Sequence, residues 1–318
     1  MGRTKRFQLN PAILDQDWRF TDLDRSLLDI LARVECASGT FLQQRLPMHT
    51  SNGVNRAINK LRHKGLLYKP EWQRRGWNTI NNSDYSRITP MGFEYLGIPL
   101  PESFKKRDPK YPTAQMNHTI AKDNTLLSAE IYILKQGRTP LTMPDIVGTS
   151  KLKDPMLFKY NIRHTFPDGH SEPLDSYLIP DGWFGDRGAT GKSRLYLVEL
   201  ENEDPVRRNT LGTKATIHKK TGKYTHGGNS SSLRKMLAYA DIDKNNLMWA
   251  QLRKHGFTVI FAYTKPSHYR AAVALKKELF GENFDLIQII LVPTQHIDGR
   301  QPKPYPELFA GILKDPTA

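Results

Sequence analysis

Two patterns predict an α/β (α+β) protein built in two parts. Residues 21–96 offer three helices followed by a short basic hairpin, the order of a winged helix-turn-helix. Residues 117–292 then alternate strands with helices after an initial hairpin, the order of a mixed sheet covered on both faces. At 318 residues the chain has room for about two domains. Its 38% hydrophobic content supports a real core in each, and no apolar run approaches the length of a membrane span.

Residues 1–15 read as a basic arm without the apolar stretch of a secretory signal. Gly2 makes no myristoylation motif, because Arg6 stands where Ser or Thr is needed. From Thr21, placed as a helix cap, Leu23, Leu27, Leu28, Ile30, Leu31 and Val34 recur at helical spacing. A second helix fits 40–46 after the Ser38-Gly39 break. A third fits 51–64, with Val54, Ile58 and Leu61 on its inner face and Arg56, Asn59, Lys60 and Arg62 outside. Gly65 is placed to stop it. Short strands at 66–69 and 85–89 flank a turn bearing Trp72, Arg74, Arg75 and Trp77, and Pro90 opens a further helix. In this winged helix-turn-helix (16–97), Arg56, Asn59, Lys60 and Arg62 would enter a major groove, and Arg74 and Arg75 would meet backbone phosphate.

The Pro-rich, charged segment 98–115 reads as a linker, and 116–312 as the second domain. Its first helix fits 117–136, with Ile120, Leu127, Ile131 and Leu134 on one stripe and Asp123 and Glu130 on a shared face. Residues 158–166 form a strand. Residues 205–232 carry Arg207, Arg208, Lys214, Lys219, Lys220 and Lys223 with paired glycines, a basic loop suited to gripping phosphate. A helix follows from Ser232 to about Lys254, then a buried strand over 257–263, a helix over 268–280 and a second buried strand over 284–292.

Charge narrows the partners. Forty-seven Lys and Arg against 32 Asp and Glu leave a net +15, which draws the chain to polyanions, double-stranded DNA first. The single cysteine, Cys36, rules out an intrachain disulfide and fits a cytoplasmic protein. A palindromic DNA target would call for a homodimer.

The stretch 174–202 carries the chemistry. It reads as a hairpin whose first strand bears Asp181 after Ile179-Pro180, and whose second, 194–201, carries Glu199 and Glu201 on one face. Three carboxylates converging at one end of a hairpin are costly to bury unless a cation neutralises them. Their oxygen donors suit Mg²⁺ or Mn²⁺.

Pro180-Asp181 followed eighteen positions on by Glu199-Leu200-Glu201 resembles the signature of the PD-(D/E)xK nuclease superfamily, which implies a restriction-endonuclease-like fold. Glu201 stands where that signature has lysine. Over residues 20–295 the chain resembles the replication-relaxation family of phage and plasmid proteins, which join a winged helix to a nuclease-like domain. The matching pieces are Asp24 to Leu31, Asn59 to Leu67, Arg87 to Gly92, His118, Pro180-Asp181, Glu199 to Glu201 and Arg234 to Tyr239.

The resemblance implies metal-dependent phosphodiester hydrolysis. Asp181 and Glu199 would hold one or two Mg²⁺ ions, Glu201 would be a further ligand, and Lys235 on the following helix would replace the missing lysine. Asp123 or Glu130 would add outer contacts, and Tyr239 would line the site. Two rival readings remain: a non-catalytic replication or transcription regulator with a degenerate nuclease fold, and an RNA-processing nuclease, which the lack of an aromatic stacking platform disfavours.

Overall fold

The computed structural model describes residues 20–70, 85–100, 114–141, 145, 158–201, 206, 211, 216–217, 224–225, 231–245, 256–293 and 303–313. The chain divides into two compact units, Met1–Met116 with Ile297–Lys303, and Asn117–His296 with Pro304–Ala318. Both mix helix and sheet, and no helix among the described residues is long and apolar enough to cross a membrane.

The first unit begins with α1 (Asp22–Arg33), whose start is set by a capping box: Thr21 accepts from the Asp24 amide, and Asp24 accepts in return from the Thr21 amide at 2.8 Å. Next come β1 (Ala37–Ser38), α2 (Gly39–Arg45), α3 (Ser51–His63), β2 (Leu67–Tyr68), β3 (Tyr85–Ile88) and α4 (Pro90–Leu96). Thr50 and Thr89 cap α3 and α4 with their hydroxyls, and Gly65 turns the chain out of α3 at a φ of 74° that side-chain-bearing residues avoid. The three strands pair antiparallel in the order β1-β3-β2. β1 went unforeseen because Ser38-Gly39 reads as a break. Leu27, Leu31, Phe41, Leu42, Val54, Leu61 and Phe93 meet in one core.

Two residues expected on the outer face of α3 have internal partners. Lys60 Nζ lies 2.6 Å from the Oδ2 of Asp24, a carboxylate with no exposed surface, and so joins α3 to α1. Arg62 donates to the Tyr85 carbonyl at 2.9 Å and to Ser86 Oγ at 2.7 Å, joining α3 to β3. The basic turn with Trp72, Arg74, Arg75 and Trp77 lies outside the described residues.

The second unit is built on a five-stranded sheet of order β12-β11-β8-β7-β4, from β4 (Thr139–Pro140), β7 (Gly182–Arg187), β8 (Ser193–Glu201), β11 (Phe257–Tyr263) and β12 (Ile287–Leu291). β11 runs parallel to both β8 and β12, and β7 runs antiparallel to β8 and β4, so the sheet is mixed. β5 (Phe158–Thr165) and β6 (Ser171–Leu178) form a separate antiparallel hairpin. Within the basic loop, β9 (Thr216–Ile217) and β10 (Tyr224–Thr225) make a two-residue ladder, while Arg207, Arg208, Lys219, Lys220, His218 and His226 fall outside the described residues.

The helices are α5 (Ala114–Lys135), α6 (Ser232–Asn245) and α7 (Pro266–Phe280), with a 3₁₀ turn at Pro306–Phe309. α6 and α7 share a core cluster with the β5–β6 hairpin and with Leu195, Leu197, Val259 and Phe261 of the sheet.

Three expectations are corrected. The stretch 174–187 is two strands rather than one: it pairs with β5 up to Leu178 and with β8 from Gly182, and Pro180-Asp181 forms the bend between. Gly182 suits that bend, since a Cβ there would come within 2.9 Å of Leu126 on α5. α5 is not a one-stripe amphipath, for Asp123, Asn124, Thr125, Ser128 and Glu130 are as buried as its leucines. The C-terminal segment explains this: Tyr305 bonds through its hydroxyl to Thr125 at 2.7 Å and through its amide to Ser128 at 3.2 Å, so a second layer covers the polar face. Finally, β12 is an edge strand with half-buried positions rather than one buried on both faces.

Lys60→Ala should therefore cost the first unit about 1–3 kcal/mol by leaving the buried Asp24 charge without its cation, while Arg56→Ala, at an exposed position, should leave stability within about 0.5 kcal/mol. Chemical denaturation of the two variants checks this, and equal stability in both would mean that the Asp24 pair contributes nothing.

Candidate functional site

The site forms where β7 begins and β8 runs on past it. The last ladder pair is Gly182 with Val198, so beyond it the Leu200 amide and carbonyl have no strand opposite. Two side chains take the strand's place. Asp181 Oδ2 accepts from the Leu200 amide at 2.8 Å, and His118 Nε2, on α5, lies 3.0 Å from the Leu200 carbonyl. A carbonyl only accepts, so His118 carries its proton on Nε2 and donates. The same nitrogen is 3.5 Å from Asp181 Oδ2.

Alternation along β8 puts Glu199 and Glu201 on the face that carries Leu195 and Leu197, opposite Phe261 and Tyr263 of β11. These apolar neighbours strip water from both carboxylates: Glu199 is 1% and Glu201 9% exposed. α6 supplies the compensation. Lys235 Nζ sits 2.7 Å from Glu199 Oε2 and 2.7 Å from Glu201 Oε1, and Tyr239, one turn on, donates its hydroxyl to Glu199 Oε1. The helix is held in register by its start. Ser231 Oγ accepts from the Arg234 amide, and the buried Arg234 guanidinium donates to Tyr160 on β5 and to Ser176 Oγ on β6. With Arg234 directed at the hairpin, Lys235 is left directed at the glutamates.

The cluster holds three carboxylates against one ammonium. Burial pushes the Glu199 carboxyl up to about 7; Lys235 opposes that shift and the Asp181 charge adds to it. For Asp181 burial also acts upward, but the His118 hydrogen bond, the Lys235 charge and the Leu200 amide outweigh it and hold the carboxyl well below its usual range. Burial alone would discharge Lys235, yet Glu199, Glu201 and Asp181 together keep its ammonium protonated far above the usual range. His118 follows the same logic: desolvation lowers it, and the bond to Asp181 more than restores it. Burial first, then the Glu199 charge, raises the Tyr239 hydroxyl, so it remains a donor.

Among the described residues no three His, Cys, Asp or Glu side chains form a ready-made metal group. The Lys235 ammonium lies between the two glutamates, and Tyr239 takes the second oxygen of Glu199. The donors, three carboxylates, are of the kind a hard divalent cation takes, but His118 is paired with Asp181 and Lys235 with both glutamates, so each carboxylate already has a partner. Asp123 pairs with Lys122 at 3.4 Å, and Glu130 is buried in the same helix. Cys36 is buried.

All four residues expected to carry chemistry, Asp181, Glu199, Glu201 and Lys235, thus meet at this point of the fold. Sequence reasoning gave His118 no role beyond a piece of the family resemblance, since a histidine on a helix 82 positions from Leu200 gives no local sign that it ends a ladder. On α3, Arg56 and Asn59 are exposed, while Lys60 and Arg62 are committed as described. No family model, curated protein or solved structure matches the chain.

Two outcomes are expected. The Glu199 carboxyl lies above its ordinary value of 4.5, so its charge opposes folding; that penalty sets in as pH rises past 4.5 and is complete above about 7. Lys235→Met removes the ammonium that limits it. The resulting fall in Tm should be smaller near about pH 5 and larger near about pH 8.5, where Glu199 ionises. A pH-independent fall would show that Lys235 does not act through the Glu199 charge. For the ladder end, His118→Ala should speed hydrogen exchange at the Leu200 amide about tenfold, while His118→Gln, which keeps an N–H donor, should exchange more slowly than His118→Ala. Identical exchange in wild type and both variants would remove His118 from the network.

Proposed function

We propose that the protein is a DNA-binding, metal-dependent endonuclease that hydrolyses phosphodiester bonds. The supporting observation is the meeting of Asp181, Glu199, Glu201 and Lys235 at the end of the central strands, three carboxylates around one ammonium. In this reading the second unit is a restriction-endonuclease-like domain and the first a winged helix-turn-helix, with α3 as the recognition helix and the segment between β2 and β3 as the wing. Its cellular setting would be the cytoplasmic DNA of a phage or plasmid-type element, in keeping with the resemblance to the replication-relaxation family.

Asp181, Glu199 and Glu201 would hold Mg²⁺ or Mn²⁺, which when bound supplies an acidified water and neutralises charge on the phosphate. The chain's own groups do the rest. Asp181 is kept ionised by His118 and the Leu200 amide, so it is available as a ligand. Lys235 stays protonated whatever the working pH and provides a fixed positive charge where negative charge grows on the phosphoryl oxygens. Tyr239 orients Glu199.

One observation favours the alternative, a regulator with a degenerate nuclease fold: Lys235 already bridges both glutamates, which closes the pair without any metal. Incubation of supercoiled and linear DNA with Mg²⁺ or Mn²⁺ separates the two readings. Wild type should cut, EDTA should stop it, and Asp181→Ala or Glu199→Ala should lower the rate at least about a hundredfold while leaving duplex affinity nearly intact. Tight duplex binding in EDTA with no cutting in either metal would leave the regulator.

A further inference from the structure

With Lys60 and Arg62 turned inward, the outer face of α3 is left with an unusual composition. Asn52, Asn55, Arg56, Asn59 and His63 are all exposed, and steps of three and four residues put them on one stripe. The stripe therefore carries three carboxamides and, apart from His63, one cation. Carboxamides pair in a bidentate manner with the N6 and N7 of adenine in the major groove, whereas the commonest guanine contact is made by Arg or Lys. The side-chain Nε2 of Gln43, on α2, donates to Asn55 Oδ1 at 3.0 Å. That bond fixes Oδ1 of Asn55 toward Gln43, which leaves its NH₂ as a donor for adenine N7 and a second Oδ1 lone pair for N6. Just before α3, Met48 stands 91% exposed, an apolar group of the kind that packs on the thymine methyl.

We propose that the exposed face of α3 reads A·T-rich duplex DNA through the major groove, with Asn55 and Asn59 contacting adenine and Arg56 the flanking phosphate. This specificity rests on the reading of the first unit as a DNA-binding winged helix-turn-helix. The rest of the +15 charge supplies affinity that is indifferent to sequence, so base preference falls to the amide stripe.

The test uses the full chain in EDTA, so that cleavage does not intervene, with fluorescence anisotropy on duplexes of equal length made of A·T pairs only or G·C pairs only. The A·T duplex should bind about tenfold tighter, the discrimination one or two bidentate contacts supply. The Asn55→Ala/Asn59→Ala double variant should lose that preference and keep its G·C affinity; both positions are exposed, and an unchanged melting curve confirms the fold. Replacing adenine by 7-deaza-adenine, which deletes the major-groove N7, should reduce binding of wild type to the same degree. Equal binding of both duplexes would overturn the A·T readout and leave DNA binding standing. A preference that survives the double variant or the 7-deaza substitution would also overturn it, since the reader would then lie off α3. Failure to bind either duplex would overturn the underlying DNA-binding reading.

Discussion

Two glutamates on one buried strand face cannot share that face as bare charges, and the arrangement of the second unit around β8 follows from how they are neutralised. Phe261 and Tyr263 of β11 exclude water beside Glu199 and Glu201, so compensation has to come from the layer above. Lys235 supplies it to both at 2.7 Å. That requirement in turn fixes α6. Were the helix rotated by one residue, its ammonium would leave the glutamates and its buried Arg234 would leave Tyr160 and Ser176 on the β5–β6 hairpin. The hairpin, helix and sheet are thus locked by two cations at adjacent positions that face opposite demands.

The end of β7 presents a related constraint. A strand that continues past its neighbour exposes backbone groups that must find partners. Here the partners are Asp181 and His118, so the same carboxylate completes the ladder and stands beside the acidic pair. His118 arrives on α5, and α5 is held from behind by the C-terminal segment through Tyr305. Placement of the cluster therefore depends on residues spread across most of the second unit, which gives a structural reason for the depth at which it lies.

In the first unit, positive charge is divided between building and presenting. Lys60 and Arg62 tie α3 to α1 and to β3, and Arg87 lies 3.7 Å from Glu35. What remains outward on α3 is Arg56 among carboxamides. Counting cations along the helix would have assigned it a more basic face than it has.

Much of this was legible from residue order. Periodicity placed α1, α3, α4 and α7 to within two residues, because each has a strong local start: a threonine cap or a proline in the first turn. Alternation alone put Glu199 and Glu201 on one face, and the helical spacing of Lys235 and Tyr239 marked them as neighbours. Where Asp181 sits, what Lys60 and Arg62 touch, why α5 is buried all round and what His118 does were beyond local pattern. Each of these depends on a partner distant along the chain: Leu200 for Asp181 and His118, Asp24 for Lys60, β3 for Arg62, Tyr305 for the polar face of α5. The sequence by itself determined where the capped helices and the long strands lie and which carboxylates share a face, since backbone sterics and hydrophobic period act over a few residues. Only the tertiary structure decided which charges are spent on neutralising one another and which stay available to a partner, because that depends on burial and on contacts between segments that meet only when the chain has folded.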